Sequence, residues 1–207
     1  MKRIVITGGP QAGKTTVMSA LKQEHSDRIV FVPEPATMLF NEGYPLPRED
    51  VAYTRQWQQM FQNIITPLHL GLEWNYEQLA RQRGIELMIC DRGILDGAAY
   101  YPGGIDPFLS VYHLRLKDCF DRYVQIIHLE STAVCNPEIY GKTGNEYRYE
   151  DLKLAQEREY ATRGVWRHHP QREQVSGKDG IGAVIASVFE IVERHLGPKE
   201  AAETTNK

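Results

Sequence analysis

A chain of 207 residues with 42% hydrophobic and 25% charged side chains has the apolar material for one globular domain, with room for a lid. A net charge of −3 gives no footing for a polyanion partner such as nucleic acid, and no apolar run approaches the length of a membrane span. Cys90, Cys119 and Cys135 are odd in number and have neither metal-site nor redox spacing, which suits a reducing, cytoplasmic setting.

In chain order, residues 4–7 form a short apolar strand, and a helix is expected over 14–24 with Val17, Ala20 and Leu21 on one face. Between them, Gly8, Gly13, Lys14 and Thr15 fit G-x-x-x-x-G-K-[ST], the phosphate-binding loop. Four fixed positions can coincide by chance, but the strand before and the helix after supply the context the motif needs. The loop assigned to nucleotide is Gly8, Gly9, Pro10, Gln11, Ala12, Gly13, Lys14, Thr15 and Thr16. Its glycines let backbone N–H groups approach phosphates, and the helix points its positive end at the anion. The Lys14 ammonium reaches the β- and γ-phosphates, and the Thr15 hydroxyl can ligate Mg²⁺.

Residues 29–32 are a second buried strand, stopped by Pro33-Glu34-Pro35. A loop over 41–47 leads to a long helical region, 48–83, which Pro67 should kink or split. Its expected apolar face carries Trp57, Met60, Phe61, Ile64, Ile65, Leu68 and Leu72, while Gln58 and Gln62 read as a solvated face. Residues 86–90 form a third strand followed at once by Asp91-Arg92-Gly93. Short helices over 95–101 and 107–118 and a strand over 124–129 come next. The stretch of about 131–150 reads as a mobile lid, 150–167 as a charged helix, 173–175 as a fifth strand and 181–196 as an amphipathic closing helix. A polar tail occupies 198–207, outside a single domain of 1–197.

Alternating strands and helices predict an α/β fold: three layers, five parallel strands in the order 2-3-1-4-5, helices on both faces and a lid. Ligands of such sheets bind at the carboxyl ends of the strands. Gly8, Glu34 and Asp91 directly follow strands one, two and three, so the topology brings them to one edge.

Asp91 occupies the place of a carboxylate that organises Mg²⁺; it could instead cap the helix starting near Ile94. Arg92 could hold a transferred phosphate in its fork, or pair with Asp91 or Asp96. Glu34, between two prolines, could accept the proton of a substrate hydroxyl, or be a helix-start acid with a surface partner. Lys142, Arg148, Arg158 and Arg163 lie in or after the lid, where cations that arrive on closure are useful; Arg148 is the choice among them. His168-His169 lack a third ligand and read as surface polar residues.

TGGPQAGKTT, then PEPAT, then DRGILDGAAY, together resemble a small phosphate-loop family of AAA type. That family includes the ribosylnicotinamide kinase domain of a bacterial NAD-biosynthesis regulator and a eukaryotic GTP-binding protein of ion-channel trafficking. The chain is also similar, more distantly, to deoxynucleoside and thymidylate kinases. The resemblance implies that Lys14, Thr15 and Thr16 hold ATP (or GTP) and Mg²⁺. It implies that Glu34 and Asp91 lie near acceptor and metal, and that Arg92 and Arg148 contact phosphate. The reading is a kinase of a small, nucleoside- or nucleotide-like acceptor, the alternative being a nucleotide-dependent switch. Acceptor and oligomeric state stay open.

Overall fold

The computed structural model describes residues 1–47, 51–141 and 151–197. Five strands, β1 (Lys2–Thr7), β2 (Ile29–Val32), β3 (Leu87–Asp91), β4 (Gln125–Leu129) and β5 (Arg172–Val175), form one sheet in the order β2-β3-β1-β4-β5. Every pairing is parallel, and β1 is central, with Ile6 beside Asp91 and Ile127 in register. The predicted sheet and its order are therefore those observed.

Successive side chains of a strand point to opposite faces, so a sheet covered on both sides needs apolar residues at every position. Ile4 and Ile6 pack with Val17, Met18 and Leu21 of α1 (Lys14–His25). Val5 turns the other way, into a second core with Met88, Cys90, Ile126 and Trp166. Burying one such aliphatic side chain stabilises the fold by about 1.5–3 kcal/mol. The closing helix, Ile181–Glu193, covers the first core through Val184, Val188, Ile191 and Val192.

Several local expectations are corrected. Pro33-Glu34-Pro35 starts a helix rather than merely ending a strand: α2 is Pro35–Asn41, with Pro35 at its first turn, where no N–H is needed. The long helix α3 is Arg55–Gln82, capped by the Thr54 hydroxyl accepting from Trp57 N at 3.1 Å, and it continues unbroken through Pro67. Met60 and Ile64 are exposed, whereas Gln62 is buried. After α4 (Asp96–Tyr100), the single helix expected over 107–118 is two, α5 (Ile105–Val111) and α6 (Leu116–Asp121). His113, at φ 53°, turns the chain between them.

The stretch expected to be a mobile lid begins as fixed structure. Helix α7 (Thr132–Cys135) and a 3-10 turn (Pro137–Ile139) follow β4, and Ala133 is buried. Residues 142–150, with Lys142 and Arg148, lie outside the described residues. Helix α8 (Leu152–Val165) resumes behind an Asp151 cap. No described helix is long and apolar enough to cross a membrane.

Candidate functional site

The phosphate loop leaves β1 at Gly8, whose φ is 145°. A Cβ there would stand 2.1 Å from Leu129 O, so no side chain fits. Helix α1 then opens with no acidic residue in its first turn, leaving its positive end free for an anion. Lys14 Nζ donates to Gly8 O at 2.9 Å and to Gly9 O at 3.1 Å, folding back over the loop. Burial and the nearby Arg92 lower its pKa to about 8. Thr15 and Thr16 are exposed beside it.

The loop is held from beneath by a carboxylate of the stretch expected to be a charged helix. Glu159 of α8 is fully buried; its Oε2 accepts from Gly9 N at 2.8 Å and its Oε1 bonds His128 Nε2 at 2.7 Å. Those bonds outweigh burial and hold Glu159 below the ordinary carboxylate range. Ser131 Oγ donates to Pro10 O. Thr132 Oγ1 and Gly141 N each donate to Gln11 Oε1 at 3.1 Å. The pattern that could have revealed Glu159 is its place with Ala155 and Thr162 on the buried face of α8.

Facing the loop, Glu34, Asp91 and Arg92 converge as the topology predicts. Arg92 takes φ 72° just past β3, its N–H bonded to Ile6 O at 3.0 Å, and this bend aims the guanidinium back over the strand ends. Its Nε donates to Glu34 Oε1 at 2.5 Å, and Nη1 donates to Gly8 O at 3.2 Å and Asp96 Oδ1 at 3.3 Å. Thr37 Oγ1 donates to Glu34 Oε2 at 2.6 Å. Burial pushes the Glu34 carboxyl up, but Arg92 and Lys14 outweigh it and leave it lowered. Glu34 is thus paired within the site and not at the outer surface.

Asp91 behaves oppositely. Burial and the Glu34 charge push its pKa up to about 6, and Oδ1 is buried with no hydrogen-bond partner among the described residues. It does not cap the following turn. Asp96 does, accepting from Gly93 N at 2.8 Å, from Trp166 Nε1 at 3.1 Å and from Thr7 Oγ1.

These groups line one end of a cleft of about 580 Å³. The other end is walled by aromatic rings: Phe40 and Trp57 each stack on Phe61 at 4.9 Å between centroids. Its floor is α3, where Gln62, Thr66, His69 and Glu73 form a buried polar line within the apolar face. That spacing was readable, and it went unread because Gln62 was assigned to solvent.

Arg158 donates to Ala99 O at 2.8 Å and to Tyr53 Oη, a lining group of the cleft, at 2.5 Å. Arg163 lies over the Tyr160 ring at 5.0 Å. His169 is buried, its Nε2 bonded to Tyr123 O at 3.1 Å, so it is part of the core and not a surface polar residue. Among the described residues no group of three His, Cys, Asp or Glu could hold a metal ion alone.

A family model described as an AAA domain matches residues 3–175. Thymidylate kinase from Candida albicans matches with a TM-score of 0.61 and 17% sequence identity, over 94% of this chain and 92% of that one. That likeness is one of fold. No curated protein matches the sequence.

Proposed function

The chain belongs to the AAA domain family, and on that premise we propose that it is a kinase that moves the γ-phosphoryl of ATP to a nucleoside- or nucleotide-like acceptor. The observation that carries this reading is the pair of carboxylates, Glu34 and Asp91, meeting the phosphate loop at one end of a cleft of about 580 Å³ whose other end is walled by aromatic rings. A switch that only binds nucleotide has less use for a cleft that runs past the strand-end carboxylates to an aromatic wall. The three cysteines are free, in keeping with a reducing cytoplasm.

Residues 8–16 cradle the phosphates through backbone N–H groups and the α1 N-terminus. Lys14 leaves the Gly8 and Gly9 carbonyls for the phosphates. The donor set fits a hard cation: Asp91 has an unpartnered buried oxygen, and Thr15 offers an exposed hydroxyl in the same cleft. With Mg²⁺ bound there, charge on the transferring phosphate is neutralised as it develops. Glu34, ionised and fixed by Arg92 and Thr37, takes the proton of the acceptor hydroxyl. Arg92, itself held from four sides, offsets charge at the transferred group.

The test is transfer of labelled γ-phosphate from ATP to a panel of nucleosides, nucleotides and small alcohols, with Lys14→Ala as control. A phosphorylated product that requires Lys14 is expected. Free phosphate alone, or full transfer by both Glu34→Gln and Asp91→Asn, would overturn the mechanism and favour the switch.

A further inference from the structure

We propose that His69, positioned by Glu73, selects the acceptor by taking a hydrogen bond from an N–H on the edge of a planar heterocycle. The inference rests on the reading of the cleft as an acceptor chamber and adds what that chamber recognises.

The argument starts from cost. A polar side chain out of water is unfavourable unless its hydrogen bonds are made. Glu73 is fully buried and well satisfied: Arg122 Nη2 donates to Oε2, while Tyr123 Oη at 2.5 Å and His69 Nε2 at 2.9 Å reach Oε1. Burial opposes the charge, but the hydrogen bonds of His69 and Tyr123 and the Arg122 guanidinium outweigh it and hold the Glu73 carboxyl below the ordinary carboxylate range. An ionised carboxylate only accepts, so the proton between the two groups belongs to His69 Nε2. In the neutral ring this leaves Nδ1 a lone-pair acceptor, and Nδ1 makes no hydrogen bond among the described residues.

His69 lines the cleft. Arg122 already supplies the countercharge for Glu73, so a core role alone does not explain an imidazole at this face. Two turns earlier on α3, Gln62 is also buried and lines the cleft, and its Oε1 has no partner among the described residues. Gly97 packs against that oxygen: a Cβ on Gly97 would come within 2.9 Å of it. That oxygen is covered, so the acceptor the floor presents is His69 Nδ1, in a cleft that also holds the stacked rings of Phe40 and Phe61. An acceptor and a flat wall in one cleft call for a flat ring with a donor on its edge.

The test measures affinity, not turnover. Cytidine, adenosine and uridine are titrated calorimetrically into the full chain saturated with a non-hydrolysable ATP analogue and Mg²⁺, each against its partner lacking the donor: N4,N4-dimethylcytidine, N6,N6-dimethyladenosine and 3-methyluridine. At least one parent is expected to bind, with about tenfold loss on methylation, the worth of one hydrogen bond. In His69→Leu that discrimination should fall below about twofold, while affinity for the ATP analogue stays unchanged.

His69→Gln can still reach Glu73 but offers nothing at Nδ1, so it should behave like His69→Leu; it carries the test if the leucine variant does not fold. His69→Asn places an acceptor near Nδ1 and loses Glu73, so it should retain part of the discrimination. Undiminished discrimination in the leucine or glutamine variant would overturn the proposal, as would failure of every nucleoside to bind while the ATP analogue does. Discriminating binding without phosphoryl transfer would sink the kinase reading and leave this one standing.

Discussion

Arg92 reaches from the end of β3 to Glu34 beyond the end of β2, with Nε and Oε1 2.5 Å apart. The pair joins two strands whose termini would otherwise present like-charged carboxylates to one another. Its effect is unequal: Glu34 is driven toward the ionised form while Asp91 stays at about 6. Two acids on one edge thus acquire different tasks.

Arg92→Lys should separate these tasks. An ammonium cannot serve Glu34, Gly8 O, Asp96 and Tyr100 together as the fork does. Transfer is expected to fall by about 10²–10³, the scale for losing one transition-state donor. The acid limb of the pH–rate profile should move up as Glu34 loses its partner. An unchanged profile would show that Arg92 does not control Glu34.

Asp91→Asn is expected to raise stability while it lowers activity. The folded pKa is raised from 3.8 to about 6, so the folded form holds more protons than the unfolded form between those values. Stability from this group therefore falls as pH rises through that window, and the penalty is complete above it. The asparagine variant should gain up to about 3 kcal/mol at pH 7 and nothing below pH 4, read by urea unfolding of ligand-free protein.

The same ionisation should govern metal-dependent nucleotide binding. Below pH 6 Asp91 takes up a proton and loses its charge. Affinity for Mg·ATP should drop about fivefold from pH 6 to pH 5, and Asp91→Asn should remove that dependence. Calorimetry at the two pH values decides it.

Glu159→Gln tests the support beneath the loop. It replaces an acceptor shared by Gly9 N and His128, and should cost about 1–3 kcal/mol with a matching loss of nucleotide affinity. Glu157→Gln, exposed on the same helix, should change stability by less than about 0.5 kcal/mol. Equal effects would show that burial of Glu159 carries no special role.

Gly8→Ala is expected to fail most severely. The substitution brings a Cβ to 2.1 Å from Leu129 O at a backbone angle of 145°. A loss of about 2 kcal/mol or more in denaturant midpoint analysis is anticipated. Near-normal stability would mean that the loop can leave β4 freely.

The sheet and three strand-end positions were legible because their signals are local. An apolar run, a glycine turn and a helix start occupy adjacent residues, and parallel order follows from alternation. Asp96 was legible only as a partner of Arg92, and Glu159 not at all as part of the site, because their other partners, Thr7, Trp166 and Gly9, lie far along the chain. Helix α2 was hidden by prolines that serve equally as strand stops and helix starts. Tyr112, His113 and Leu114 divided an expected helix through backbone geometry that residue type does not announce.

Both roots of the 142–150 segment are fastened to the phosphate loop: Gly141 to Gln11, and α8, through Glu159, to Gly9. A displacement of the phosphate loop would therefore pull at once on two places far apart in the chain, the turn that follows α7 and the middle of α8.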